Sequence, residues 1–296
     1  MRNNPVTLAN YWIVFVVYSS SRLAEKHQRF LALFELFRSF GAEGVVIVNN
    51  AAGNDAAAID AFFADSTAEV IAGTNQNAEF SGWTEGLSYL RENNKTDDST
   101  SFILLNDTVF SHYPLYLSSI LRYLGSAPHV HQHTTPAICG SLHKMSQREC
   151  NVLGLKLPSF VATAIFMVNA KAANLLVDQC QRVFNEWQNV SIKQADSFSL
   201  LKQFYNESGA YYVGGWLFSG GWYNSSSFDT FDKNLLRLKL TAIMCEHSIS
   251  ARVLAEQGDL LDYESLTPSK GLLGTLKQFN MKQLFAILRY RNSSSV

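Results

Sequence analysis

Four cysteines stand in 296 residues, at positions 139, 150, 180 and 245, and no two have C-x-x-C spacing. That excludes the common zinc and dithiol redox motifs; scattered thiols fit buried side chains in a reducing compartment. A net charge of −1 leaves no basic stripe for a nucleic-acid partner. No stretch approaches the roughly 20 apolar residues that a spanning helix needs. The apolar run Trp12 to Tyr18 follows Arg2 but is only about seven residues long, at the short limit of a signal-peptide core, and no clear small-residue cleavage site follows it. It reads as a buried first strand. Asn-x-Ser/Thr triplets begin at Asn94, Asn106, Asn189, Asn206, Asn224 and Asn292; they matter only in a secretory protein. There is no internal repeat, and the one low-complexity tract is Ser293-Ser294-Ser295.

Apolar residues make up 47% of the chain and charged residues 17%, enough for one large core. Short β-branched runs alternate with helical patterns, which predicts βα units and a mainly parallel sheet flanked by helices. Ile13 to Val17 is apolar throughout, as a strand covered on both faces should be. A helix follows with Phe30, Leu33, Phe34, Phe37 and Phe40 on one stripe, closed by Gly41. Further strands are expected at 45–48, 69–72 and 102–105, with helices at 55–63 and 80–92 and one opened by Pro114. In the second half, 137–142 and 161–168 read as strands, and 170–187 and 196–205 as helices. Ala210 to Val213 reads as a strand entering a Gly- and Trp-rich loop, 214–222. A long helix is expected at 231–257. The expected division is a nucleotide-binding and acceptor unit, 1–228, with a helical C-terminal region, 229–296, packed on it.

Chemistry concentrates at strand ends. In open α/β sheets, ligands bind beyond the carboxyl ends of the strands, where strand order reverses. Asn106-Asp107-Thr108 follows the strand 102–105. A carboxylate there can hold ribose hydroxyls or a divalent ion bridging a diphosphate. Asn-Asp after a strand is equally good turn chemistry. Asp196 opens a helical pattern, where an acid is a favoured N-cap.

The order of these segments resembles the family 2 glycosyltransferases and the related rhamnan synthesis protein F group. The likeness runs from about residue 13 to residue 213. It rests on Val45-Val46-Ile47-Val48-Asn49-Asn50, on Asn75-Gln76-Asn77-Ala78-Glu79-Phe80-Ser81-Gly82 and on Phe102-Ile103-Leu104-Leu105-Asn106-Asp107-Thr108. It continues through Ala162 to Val168 and through Gln194-Ala195-Asp196-Ser197-Phe198 with Gly209 to Val213. The resemblance implies a GT-A-like, Rossmann-like fold and a sugar donor activated by a nucleoside diphosphate. Donor contacts would fall on Asn49, Asn75, Glu79, Asn106, Asp107 and Thr108. Asp196 matches the region that supplies the base in inverting members. The acceptor would be a glycan or a lipid-linked oligosaccharide in surface-polysaccharide synthesis, with the enzyme cytoplasmic.

The sequence departs from the family pattern. Asn106 and Thr108 stand where the acids of the Asp-x-Asp pattern belong, and Ala195 and Phe198 replace two further acids. Either Asp107 holds Mg²⁺ or Mn²⁺ together with the donor's diphosphate, or the leaving group meets Arg, Lys, His or a helix N-terminus. The alternative to an enzyme is a catalytically inactive module of the same fold, binding a glycan or a partner glycosyltransferase. In the pair Glu246-His247, one residue could reach the diphosphate, and His247 is the candidate metal ligand. Trp216 and Trp222 flank Gly-rich turns and are candidates for stacking on an acceptor sugar, whereas Trp83 reads as core. His129, His131 and His133 read as solvated loop histidines. Residues 272–291 carry Lys277, Lys282, Arg289 and Arg291 among apolar positions, a basic amphipathic pattern that suits a docked helix or peripheral contact with the inner face of a membrane.

Overall fold

The computed structural model describes residues 10–110, 117–145, 149–188, 190, 196–220 and 227–266. The N-terminal half runs β1 (Tyr11–Val17), α1 (Ser20–Ser39), β2 (Ala42–Asn49), α2 (Gly53–Phe63), β3 (Glu69–Ala72), the two-residue β4 (Gln76–Asn77), α3 (Ala78–Glu92) and β5 (Ser101–Asn106). Next come α4 (Leu117–Gln132), β6 (Ala137–Lys144), the small hairpin β7 (Asn151–Val152) and β8 (Leu155–Lys156), β9 (Ser159–Asn169) and α5 (Ala170–Gln188). The chain then forms α6 (Ser197–Lys202), α7 (Glu207–Phe218), α8 (Lys233–Ala255), β10 (Asp259–Asp262) and the single turn α9 (Tyr263–Leu266).

Seven strands form one sheet in the order β10-β6-β9-β5-β1-β2-β3. Every neighbouring pair is parallel except the two that involve β9. The fold is therefore an α/β, mainly parallel, Rossmann-like sheet flanked by helices, as expected. β1 is apolar at all seven positions because each face meets a helix layer. Trp12, Val14 and Val16 pack with Phe80, Trp83 and Leu87 of α3 and with α5 and α8. Tyr11, Ile13, Phe15 and Val17 pack with Phe30, Phe34 and Phe37 of α1 and with α2 and α4. Each fully buried large apolar side chain contributes about 1.5–3 kcal/mol.

α3 lies close against β1. A Cβ on Gly82 would stand 2.8 Å from both methyls of Val16, and one on Gly86 would stand 2.4 Å from Val14 Cγ1. Glycine at these positions lets the helix backbone approach the strand, which fixes the first turn of α3 over the sheet's carboxyl edge. Within the described part of 229–296, α8 is inserted in the core against α5 and β9, and β10 extends the sheet beside β6.

Two expectations are corrected. Residues 210–213 are not a strand, and 214–218 are not a loop: both lie in α7. Asn206 caps that helix by accepting the Gly209 N–H at 3.1 Å. Ala210, Val213 and Leu217 bury one helical face, which outweighs the poor helix propensity of Gly214 and Gly215. His129 and His131 lie in the last turn of α4, which continues past Pro128 because Ala127 and Val130 are buried on its inner face. His133 follows the helix and faces Asp259 at 3.2 Å. Pro114 lies outside the described residues. All four cysteines are buried and unpaired. No helix among the described residues is long and apolar enough to cross a membrane. Residues 272–291 lie outside the described residues.

Candidate functional site at the carboxyl ends of the strands

Strand order reverses between β1 and β5: β1 continues to β2 on one side, and β5 lies on the other. Asp107 sits at this reversal. Its backbone N–H donates to the Val16 carbonyl at 3.0 Å, one step beyond the last β5 residue. Its Oδ2 accepts the N–H groups of Tyr18 at 2.9 Å and Ser19 at 3.2 Å, just past β1. Oδ1 lies 3.6 Å from Arg22 Nη1. Asp107 is fully enclosed, and burial raises its carboxyl above the usual range, while the Tyr18 N–H, Arg22, the Ser19 N–H and Lys26 pull it back.

The neighbours of Asp107 in the motif fix its turn. Asn106 Oδ1 accepts the Thr108 N–H at 3.1 Å and also the Thr108 hydroxyl. The motif thus closes an Asx-type turn on itself. Trp83, fully buried, donates its indole N–H to the Leu105 carbonyl at 3.1 Å, which places it in the core, as expected.

Other expected donor residues divide. Asn49 braces α2: its Nδ2 donates to the Ala56 carbonyl at 2.9 Å and to Asp60 Oδ1 at 2.8 Å, and its Oδ1 accepts the Ala51 N–H at 3.2 Å. Asn75 is exposed, with a left-handed φ of 51°. Glu79 stands in the first turn of α3, partly exposed and electrostatically coupled to Asp107; burial raises its carboxyl, with Lys239 opposing. Ala78, before it, holds φ at 53°, a conformation costing a residue with a Cβ about 1 kcal/mol or more. Strain of this kind collects at functional sites.

Asp196 caps α6. Its Oδ1 accepts the N–H groups of Phe198 and Ser199 at 3.0 and 2.9 Å, and its Oδ2 accepts the Ser199 hydroxyl at 2.7 Å. Those bonds, the Ser199 N–H foremost, hold its carboxyl below the usual range. A base needs the opposite shift.

The Glu246-His247 pair splits across α8. His247 faces the core, with Nδ1 3.0 Å from the Tyr205 hydroxyl and its ring 4.4 Å from Phe160. Burial lowers its pKa to about 3. Glu246 instead points to Thr163 of β9 and lies within electrostatic reach of Glu79. Trp216 is 39% exposed on α7, and Trp222 lies outside the described residues.

Among the described residues, Asp107 has no second protein ligand for a metal beside it. Asp107 Oδ2 is taken by two amides, Oδ1 has a guanidinium beside it, and no group of three His, Cys, Asp or Glu among the described residues could hold an ion. A cation here would have one carboxylate oxygen and would need phosphate oxygens and water to complete it. Arg22 and Lys26, one helical turn apart on α1, are suited to a diphosphate.

The sequence alone did not single out Arg22, Lys26, Tyr18, Asn50 or Thr163. Arg22 and Lys26 carried a signal, since i, i+4 cations follow the first strand. Thr163 carried none. No protein-family model matches the chain, and no curated protein matches it in sequence.

Proposed function

We propose that the chain is a glycosyltransferase of GT-A type that moves a sugar from a nucleoside-diphosphate donor to a glycan or lipid-linked acceptor. One observation carries this reading: Asp107 lies at the reversal of strand order with Arg22 and Lys26 beside it. That crevice is where open α/β sheets bind nucleotides. The order of motifs from residue 13 to residue 213 supports the same class. Arg22 and Lys26 stabilise the diphosphate as it leaves, an electrostatic task that needs preorganised positive charge. Asp107 holds the loop after β1 in place and offers Oδ1 to ribose or to a diphosphate-bound ion. A role in surface-polysaccharide synthesis rests on the resemblance.

The test is binding of UDP and GDP by calorimetry, together with turnover of a panel of UDP-, GDP- and dTDP-sugars. Asp107→Asn and Arg22→Ala are expected to weaken nucleotide binding by tenfold or more while the protein stays folded. Unchanged binding in both removes the site.

A second reading is a non-catalytic glycan- or partner-binding module. The observation favouring it is that Asp196, the matched base, is occupied as a helix cap. Nucleotide binding without turnover of any donor supports that reading.

A further inference from the structure

Glu246, near the middle of α8, reaches across to Thr163 of β9. Its Oε2 accepts the Thr163 N–H at 2.8 Å and the Thr163 hydroxyl at 2.7 Å. Thr163 lies where the β6–β9 register slips: Cys139 pairs with Met167, but Ser141 pairs with Ala162. The slip takes Thr163 out of the ladder with β6, leaving its N–H for a side chain. Both bonds fall on Oε2, and no side-chain or backbone group among the described residues is hydrogen-bonded to Oε1.

The groups facing Glu246 are Thr163 from β9, Glu79 from α3, Tyr212 from α7 and Tyr205 just before α7. Lys239, two turns earlier on α8, interacts with Glu79. Glu79 and Glu246 are both densely surrounded yet partly exposed. Glu79 also interacts with Asp107, which connects Glu246 electrostatically to the carboxyl edge of the sheet.

An independent observation points to a ligand there. Among the described residues, the Tyr18 hydroxyl and Asn50 Oδ1 are buried with no partner that meets full hydrogen-bond geometry, and Asp107 Oδ1 has only Arg22 Nη1 beside it, at 3.6 Å. The Tyr18 side chain interacts with Asn50, Glu79, Asp107 and Glu85. Buried polar atoms normally have close partners, so under-satisfied atoms gathered at one strand edge mark where a polar ligand belongs.

We infer that Glu246 is the general base of sugar transfer, the role that the family resemblance implies for Asp196. This rests on the glycosyl-transfer reading. Glu246 Oε1 takes the proton of the acceptor hydroxyl. The acceptor oxygen forms a bond to the anomeric carbon, the bond from that carbon to the phosphate oxygen breaks, and the nucleoside diphosphate leaves with the electron pair. Thr163 holds the carboxylate in register. Burial pushes the Glu246 carboxyl up to about 7, with the Thr163 bonds opposing and Glu79 adding to the rise. A base works best near its operating pH, and a capped surface carboxylate such as Asp196 is far weaker.

The experiment measures hydrolysis of nucleotide-sugar donors, with water as the acceptor, as a function of pH. The panel is UDP-glucose, UDP-N-acetylglucosamine, GDP-mannose and dTDP-rhamnose. Wild type should show a rate rising with pH through about 7. Glu246→Gln should lose at least about 100-fold in rate, within the usual range for a base, while binding UDP or GDP as wild type does. Asp196→Ala should keep both the rate and the rising limb. Thr163→Val removes one bond to the charged form and should move the limb to higher pH, a readout independent of whether Glu246→Gln folds. The inference is overturned if Glu246→Gln keeps its rate, if Asp196→Ala loses it, if Thr163→Val leaves the limb in place, or if donor binds without turnover at any pH. Failure of wild type to bind any nucleoside diphosphate instead overturns the glycosyl-transfer reading itself.

Discussion

Asp107 Oδ2 accepts the backbone N–H of Tyr18 at 2.9 Å, so the tip of β5 is tied to the tip of β1 across the reversal of strand order. The same oxygen takes the Ser19 N–H, and Oδ1 faces Arg22. A carboxylate that could have been a ligand is therefore first a structural clasp. Asp107→Ala strands two partly buried amides and is expected to cost about 2–3 kcal/mol. Urea unfolding of the variant checks it; a midpoint equal to that of wild type means the clasp contributes nothing.

Glu246 makes stability depend on pH in a defined direction. Its carboxyl titrates near 7 in the fold against an ordinary 4.5 when unfolded. The folded state binds the proton more tightly, so this group's contribution is full below pH 4.5 and declines as pH rises to about 7. Glu246→Gln has no such decline. At pH 8 it should be more stable than wild type by something on the order of 1–3 kcal/mol, with the gap closing by pH 4.5. Paired denaturation curves at the two pH values test this, and a gap independent of pH contradicts it.

Asp196 should behave as a cap. Asp196→Ala removes the acceptor for the Phe198 and Ser199 amides and should lower the melting temperature. Asp196→Asn, which keeps an acceptor, should restore most of it. The stabilisation belongs to the ionised form, so it is present above the ordinary Asp range and fades as acid protonates the group. Equal melting of all three proteins at neutral pH would show that the cap is idle.

The approach of α3 to β1 is also open to test. Gly86→Ala places a methyl 2.4 Å from Val14 Cγ1 and 3.1 Å from Val48 Cγ2. Overpacking of this kind costs about 1–3 kcal/mol, against a gain of up to about 1 kcal/mol in helix propensity. Net destabilisation in chemical denaturation is expected, and a more stable variant would mean the helix sits farther from the strand.

The sheet was readable because β1, β2 and β5 are apolar on both faces, and Gly, Asn and polar clusters punctuate them. The capping role of Asp196 was readable for the same local reason. α7 was misread because Gly214 and Gly215 suggested a loop, while the buried stripe Ala210, Val213 and Leu217 pointed the other way. The bond between Glu246 and Thr163 spans 83 residues and depends on a register slip, so no local pattern announces it. β10 was missed because four residues with an acid at each end carry little alternation. His247 looked like a ligand from its residue type; only its packing against Phe160 and Tyr205 shows that it faces the core.

The most direct measurement is a crystal structure of the protein soaked with UDP or GDP, with and without Mn²⁺. The expected result is a nucleotide in the crevice between β1 and β5, its diphosphate on Arg22 and Lys26 and its polar groups reaching Asp107 Oδ1, Tyr18 and Asn50. A nucleotide bound elsewhere, or none at this edge at saturating concentration, contradicts the assignment of the site and with it the proposal of sugar transfer.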